Sequence, residues 1–372
     1  MSVTETSKIF AIEMLPAQQG DALWIEYGSR TRPHRILIDG GTPPTVEHLK
    51  ARIESLSEKS RRFELVVVTH IDTDHIGGML KLVSTLGVST GDLWFNAWRH
   101  LPGATAGRLG PIDGEILNLL LDHTNLPWNQ AFGGGAVQVP DDEEAPLPTC
   151  TLAAGMKITV LSPTSAQLVA LKKEWRKVIH EEGLDRKDLD TGLAEAMRRK
   201  GIRRPGTLGA GTPDVDRESR SPFVSDRAVA NSSSIGLLAE FGGKACLLTG
   251  DAFVPVLEAG VRRLLAERDK PALTLNALKV AHHGSKNNTS NTLLEVIRCG
   301  KYLISTDGSI FHHPDHQAVS RLIANGGRSP TMYFNYLSAD NQIWKDPALV
   351  RRYKYRAVFP ESDQNGFLRV EL

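Results

Sequence analysis

The sequence predicts an α/β protein in two halves around an irregular middle, and three observations carry the prediction. Short runs of β-branched and aromatic residues alternate with amphipathic stretches toward both ends of the chain. One of those runs contains three consecutive valines, Val66, Val67 and Val68, a pattern expected of a strand buried on both faces and so of a sheet covered by helices. Between about residues 91 and 227 the periodicity weakens into Gly- and Pro-rich stretches such as Phe132-Gly-Gly-Gly-Ala, which reads as an insertion. At 372 residues the chain suits one layered domain carrying an embedded subdomain.

The first half opens with Ile9-Phe-Ala-Ile-Glu-Met-Leu, then Ala22-Leu-Trp-Ile-Glu-Tyr, then Arg35-Ile-Leu-Ile-Asp39. Glycine turns separate these runs, so a strand meander is expected. Leu49, Ile53 and Leu56 stand at helical spacing ahead of Phe63-Glu-Leu-Val-Val-Val-Thr69, the next strand. His70 follows where that strand leaves the sheet, which is where α/β proteins place ligand sites. Within the insertion, one amphipathic helix follows Pro163, with Leu168, Leu171, Trp175, Val178 and Ile179 on one face. Order resumes with strands at Ser234-Ile-Gly-Leu-Leu-Ala-Glu-Phe, Lys244-Ala-Cys-Leu-Leu, Leu278-Lys-Val-Ala and Tyr302-Leu-Ile-Ser, with helices expected at residues 254–268 and 292–299. The expected boundaries are a first half at 1–91, the insertion at 92–227, a second half at 228–328 and a β-rich extension at 329–372.

Composition narrows the function classes. Lys and Arg number 44 against 43 Asp and Glu, so no global charge excess points to a polyanion or an anionic membrane, and any such site must be local. No segment approaches the roughly 20 apolar residues of a membrane helix. The polar N-terminus lacks a signal-peptide core, and Cys150, Cys246 and Cys299 lack disulfide or metal spacing. A cytoplasmic protein with reduced thiols and no membrane association is expected.

The chemistry concentrates in His70-Ile-Asp72-Thr-Asp74-His75, four metal-capable side chains in six residues. Alternate residues of an extended turn can aim two ligands at one cation while the adjacent Asp74 and His75 reach a second. His282-His283-Gly-Ser285 follows a predicted strand, whose alternation sends neighbouring side chains to opposite sides. One histidine is therefore expected to bind metal and the other to face substrate. His283 is the favoured ligand, with the reverse assignment open.

The run resembles the His-x-His-x-Asp-His signature of the metallo-β-lactamase superfamily, with Asp72 in place of the second histidine. Its form with Ile76-Gly-Gly is similar to the ComEC-like and phosphorylcholine-esterase-like subgroup. Gln19-Gly-Asp21, Ile36-Leu-Ile-Asp39-Gly-Gly, Asn231-Ser-Ser-Ser, Leu247-Leu-Thr-Gly-Asp251, Leu278-Lys279-Val-Ala-His-His-Gly-Ser285 and His313-Pro314 match the same subgroup in order. The resemblance implies an αββα sandwich and two divalent metal ions, Zn²⁺ or Mn²⁺. It implies that His70 and Asp72 hold one ion, that Asp74, His75 and His283 hold the other, and that Asp251 bridges them. Asp74, His282 and His313 are then the candidates to act on substrate, His313 as a proton donor or a further ligand. Asp21, Asp39, Asn231, Lys279 and Ser285 are expected around the ligands or the substrate. Asn231 stands where many members have a third histidine. That departure leaves the first site poor in ligands, and carboxylates in place of imidazoles make it harder, so that Mn²⁺ becomes competitive with Zn²⁺.

The function expected is metal-dependent hydrolysis of a phosphodiester, most readily in nucleic acid, with a partner protein in a larger complex as a further possibility. The alternatives are a small-molecule hydrolase (phosphodiesterase, phosphorylcholine-type esterase or lactonase) and a catalytically silent metal-binding sensor. Lys172, Lys173, Arg176, Lys177, Arg198, Arg199, Lys200, Arg203 and Arg204 are candidates for a local backbone-binding stripe, although a solvated helix face is the simpler reading.

Overall fold

A computed structural model describes residues 8–85, 89–102, 112–182 and 212–372. Two sheets face each other. The first contains β1 (Lys8–Met14), β2 (Leu23–Ser29), β3 (Arg32–Ile38), β4 (Leu65–Val67) and β5 (Leu93–Trp94). The second contains β6 (Thr149–Thr151), β7 (Lys157–Ser162), β8 (Gly236–Phe241), β9 (Lys244–Leu248), β10 (Ala277–Lys279), β11 (Lys301–Ile304), β12 (Thr331–Phe334) and β13 (Arg356–Val358). The last strand, β14 (Leu368–Glu371), returns to the first sheet beside β1. Spatial order is β14-β1-β2-β3-β4-β5 in the first sheet and β13-β12-β11-β10-β9-β8-β7-β6 in the second.

The expected meander is present. β1, β2 and β3 pair antiparallel, with Ile12 opposite Ile25 and Ile25 opposite Ile36, and β4 joins β3 in parallel. The valine run behaves as its composition requires. Leu65 and Val67 point into the core between the sheets with Ile12, Ile25 and Leu237, whereas Val66 and Val68 point outward into a second core with Trp24 and Leu37. Strand alternation divides one apolar run between two cores.

Helices cover both outer faces. Leu49 and Ile53 of α1 (Thr45–Glu54), Met79 and Leu82 of α2 (Thr73–Thr85), Leu117 and Leu121 of α3 (Ile112–His123), and Leu168, Leu171 and Trp175 of α4 (Ser165–Glu182) fill the core outside the first sheet. Leu257, Val261 and Leu264 of α5 (Val254–Glu267), with Val319 and Leu322 of α6 (His316–Asn325), pack in the core that includes the second sheet. The result is an αββα sandwich.

The stretch expected as an insertion is woven into this sandwich. β5 extends the first sheet, while β6 and β7 form the edge of the second beside β8. The C-terminal stretch likewise supplies β12 and β13 to one sheet and β14 to the other. Sequence periodicity is local and cannot show that an isolated strand pairs with a distant one, which is why these strands read as separate units. The helix expected at residues 292–299 is shorter, Asn291–Glu295, and is followed by a strand, Ile297–Cys299, paired with Leu273–Leu275.

Part of the proposed basic stripe is spent on packing. Lys172 is buried, donates to the Pro102 carbonyl at 2.8 Å and lies 5.8 Å from the Trp98 ring, and Arg176 lies 5.6 Å from the same ring. Residues Arg198, Arg199, Lys200, Arg203 and Arg204, and the side chains of Lys177, Val178 and Ile179, lie outside the described residues. Among the described residues no helix is long and apolar enough to cross a membrane. Cys246 and Cys299 are buried and free, and Cys150 is half-buried and free.

Candidate metal centre

Five strands end at one place. Asp39 follows β3, His70 follows β4, Asp251 follows β9, the pair His282 and His283 follows β10, and Ser305 follows β11. Sheet carboxyl ends are where an α/β fold leaves side chains free to converge. α2 starts immediately after Asp72, which puts Asp74 and His75 in its first turn. The helix is seated on two loops at near-contact: a Cβ on Gly20 would meet the Asp74 carbonyl oxygen at 1.8 Å, and one on Gly78 would meet the Gly40 carbonyl oxygen at 2.1 Å. Glycine at those positions is a packing requirement. It brings the loops carrying Asp21 and Asp39 against the helix turn that carries Asp74 and His75.

Three imidazoles converge with their tautomers fixed from behind. Asp39 Oδ2 accepts from the Thr69 hydroxyl at 2.7 Å and from His75 Nδ1 at 2.8 Å. Because Thr69 gives its one hydroxyl proton to Asp39, its oxygen must accept at 3.0 Å from His70 Nδ1. His283 Nδ1 donates to the Ser305 carbonyl at 2.9 Å. Each ring therefore carries hydrogen on Nδ1 and turns Nε2 toward the cluster, the arrangement that a metal-ligating histidine takes from its outer hydrogen bond. Among the described residues, His70 Nε2 is buried with no hydrogen-bond partner, and so is Asp251 Oδ1.

The distances among these donors are those of a coordination shell. His75 Nε2 is 3.3 Å from His283 Nε2 and 3.3 Å from Asp251 Oδ2, and His283 Nε2 is 3.6 Å from Asp74 Oδ2 and 3.7 Å from Asp251 Oδ2. A tetrahedral ion with bonds of about 2.0–2.1 Å holds its donors roughly 3.4 Å apart. On the other side of Asp251, His70 Nε2 lies 3.8 Å from Asp251 Oδ2 and 3.6 Å from Asp72 Oδ2. His70, His75 and Asp251 form one triad with donor atoms within 4.8 Å of one another, and Asp21, His75 and His283 form a second. Asp21, however, approaches His283 from its Nδ1 side at 3.5 Å and pairs with Lys279 at 2.7 Å. It orients the ring and leaves Nε2 to others. The residues present fit a divalent cation.

Electrostatics agree with the geometry. Burial pulls His283 down, but the carboxylates of Asp251 and Asp21 outweigh it and push the imidazole up to about 10. His75 moves the same way, burial opposing and Asp251 with Asp39 prevailing. For Asp251, burial raises the carboxyl and the surrounding histidines hold it well below the usual range. A field that favours a second proton on an imidazole favours a cation at the same lone pair, so protons and metal compete there. Asn231 Nδ2 donates to Asp226 at 2.7 Å, while its Oδ1 is buried without a partner among the described residues. Asp72 is the more open ligand candidate, its side chain 43% exposed.

His282 and His283 depart from the strand rule applied to them. β10 ends at Lys279, and both histidines adopt left-handed backbone, with φ of 47° and 56°, a conformation that costs non-glycine residues energy and clusters at functional sites. Both rings consequently turn the same way: their Nε2 atoms lie 3.8 Å and 3.7 Å from the same Asp251 oxygen. His283 is fully enclosed among the donors, whereas His282 belongs to neither triad and its side chain is 21% exposed. His313 stands beside His282, with ring centroids 5.4 Å apart. Burial pulls its imidazole down to about 3, and the charges of His282 and His283 act the same way. Lys279 is wholly buried behind Asp21, and Ser285 accepts from the Asn287 amide at 3.2 Å, holding the turn.

Two residues without a motif complete the surround. Asn288 Nδ2 faces carbonyl oxygens of Asp251 and Ala252 and a carboxylate oxygen of Asp226, so its Oδ1 is the atom that meets His282 Nδ1 at 3.0 Å. Asp226 accepts from Asn231 and Asn288 and lies 3.4 Å from His282. Arg321 is buried and donates to carbonyls of Lys286, Thr289, Ser221 and Pro222, tying the Asp226 segment to the turn after His283. Nothing in the spacing of Asp226 or Asn288 marks them, because each acts through a partner distant in sequence.

The outer shell makes a direct prediction. Asp39→Asn keeps the shape but presents an amide donor where His75 needs an acceptor, so divalent-metal affinity is expected to fall about 10–100-fold. Chelator competition measures it. An affinity equal to wild type would show that Asp39 sets neither tautomer.

A profile of the metallo-beta-lactamase superfamily matches residues 17–91, which span the Asp21 and Asp39 loops and the run His70 to His75. ComE operon protein 3 of Bacillus subtilis (strain 168) is 27% identical over 164 residues, covering 42% of this chain and 20% of that protein. The chain thus spans about a fifth of the length of that relative. Residues 17–91 thus match the metallo-β-lactamase superfamily, the αββα sandwich with convergent His and Asp donors at its strand ends agrees with that match, and part of the chain is similar to ComE operon protein 3.

Proposed function

We propose that the protein is a dinuclear metal-dependent hydrolase of phosphodiesters, with nucleic acid as the preferred carrier of the bond. The observation that carries the reading is the convergence of three imidazoles, each with Nε2 free and Nδ1 held from behind, on the Asp251 carboxylate. Asp74, His75 and His283 would hold one ion, His70 and Asp72 the other, and Asp251 would lie between them. Zn²⁺ suits the imidazole-rich side, and the oxygen donor of Asp72 makes Mn²⁺ a competitor on the other. When bound, the two cations supply Lewis acidity and a water acidified toward neutral pH.

The protein's own groups do the rest. Asp251 Oδ1, buried and without a partner among the described residues, accepts a hydrogen bond from the attacking water and aims it. His282, anchored through Nδ1 on Asn288, presents Nε2 beside Asp251 and hands a proton to the leaving oxygen. The resemblance of the motif set to ComEC-like hydrolases favours nucleic acid. A second reading, a small diester, draws support from a cleft of about 970 Å³ beside the His313 loop, where Glu218, Asp315, Asp340 and Asp346 outnumber Lys345. Such a wall repels a polyanion.

The test is incubation of metal-free protein with labelled single- and double-stranded DNA, RNA and bis-p-nitrophenyl phosphate, with Mn²⁺, Zn²⁺ or Mg²⁺ added separately. Metal-dependent polymer cleavage is expected. Cleavage of the small diester alone would select the second reading, and metal binding without turnover on any substrate would leave a silent sensor.

A further inference from the structure

We infer that Phe311 and His313 form a stacking platform for a nucleobase next to the scissile phosphate, with Lys286 placed to hold a neighbouring phosphate; the inference rests on the phosphodiesterase reading above. Among the described residues four large apolar side chains remain well exposed: Val169, Val224, Leu337 and Phe311. Phe311 is the aromatic one, at 52% exposed. Scattered aliphatic exposure is ordinary. The placement of this ring is what calls for an account.

Phe311 stacks on His313 with centroids 6.0 Å apart and planes at 28°. His313 in turn meets His282 edge-on at 5.4 Å and 72°, and His282 Nε2 lies 3.8 Å from Asp251 Oδ2. The three rings form a ladder from solvent to the carboxylate at the centre of the donor cluster. One face of Phe311 is covered by His313, and its exposure leaves the other for a planar guest. His313 turns a ring face to Phe311, so this end of the ladder offers a flat aromatic surface. The cation is supplied separately: Lys286 is exposed, follows Ser285, and its backbone N–H donates at 2.8 Å to Asp315, two residues beyond His313.

A flat aromatic ring in line with a hydrolytic centre, with one exposed lysine on the adjoining turn, matches the two faces of a nucleotide. Stacking on an aromatic side chain is tolerant of base identity, because every base has a π-face. The platform therefore selects for the presence of a base and not for its sequence. A substrate whose flanking group is aliphatic gains nothing from it.

The experiment uses the metal-loaded full chain with the dinucleotide thymidylyl-thymidine and two analogues, each lacking one of its bases, alongside a phosphorothioate-blocked dinucleotide containing 2-aminopurine to read binding without turnover. Phe311→Ala is expected to lower kcat/KM about 10-fold on the dinucleotide, to leave the analogue lacking the stacked base unchanged, and to abolish 2-aminopurine quenching. Phe311→Trp restores both readouts. Phe311→Leu, which keeps the apolar bulk but not the ring, does not. Equal rates for all three substrates in the wild type would overturn the platform while leaving the hydrolase reading intact, as would an equal loss on every substrate in Phe311→Ala. Phe311-dependent quenching without cleavage would support the platform and sink the hydrolytic reading, and absence of both would sink the two together.

Discussion

Asp251→Ala is expected to eliminate metal-dependent hydrolysis, lowering turnover by at least about 10³-fold, a loss at or above that of a single preorganised transition-state contact. Asp251 is 2% exposed and its Oδ2 lies within 3.8 Å of Nε2 atoms of four histidines, His70, His75, His282 and His283. Removing the carboxylate takes a donor from both halves of the cluster and leaves the imidazoles facing one another without the anion that draws them together. Bound metal should fall from two ions per chain toward one or none, read by elemental analysis after dialysis. Metal-free stability should change less than metal-loaded stability, since the carboxylate's value to the apo fold is partly offset by its own burial. A variant that kept two tightly bound ions would remove Asp251 from the centre.

Lys279→Met is expected to give the largest loss of stability. Lys279 and Asp21 are fully buried and meet at 2.7 Å across 258 residues of sequence. Breaking such a pair by removing one partner costs about 3–5 kcal/mol, because the charge left behind is uncompensated. The pH dependence identifies the cause. In the wild type, burial alone would raise the Asp21 carboxyl, but the ammonium overrides it and holds the group well below the usual carboxylate range. A depressed folded pKa contributes stability that is present above the unfolded value, about 3.9, and is lost as pH falls through the folded one. Without Lys279, burial is left as the largest influence on Asp21 and its pKa moves up. The variant's deficit should then shrink as pH falls toward about 4, as Asp21 becomes neutral. Asp21→Asn in the same background should recover part of the loss at neutral pH. Denaturant unfolding at several pH values measures both. A deficit independent of pH and unrelieved by Asp21→Asn would mean that Lys279 matters through its packing alone.

Much of the centre was legible in the chain because its chemistry is dense in sequence. His70, Asp72, Asp74 and His75 lie within six residues at a strand-to-helix junction, and no ordinary turn needs so many metal-capable groups. Asp251 was marked only by the resemblance of its Leu-Leu-Thr-Gly-Asp run to the family's, and His283 as the favoured one of two adjacent histidines. The orientation of His282 was not legible. It depends on two successive left-handed residues, and alternation along a strand says nothing once the strand has ended at Lys279. Trp175 and Leu171 were read as packing residues and are buried in the outer core, whereas the fate of Lys172 turned on Trp98 and the Pro102 carbonyl, contacts that helical periodicity does not encode.

The amino-acid sequence by itself determined the class of chemistry, the strand meander, the doubly buried valine strand and the positions where donors leave the sheets, since these follow from residue type and short-range periodicity. Tertiary structure decided the rest. It placed β5, β6, β7 and β14 in the sheets, set His282 beside Asn288 and Asp226, and let Asp39 govern two imidazoles through Thr69 and His75. Each of those outcomes is a contact between groups far apart in the chain, where the partner that satisfies a hydrogen bond or a sheet edge is chosen by the closing of the fold and not by its neighbours in sequence.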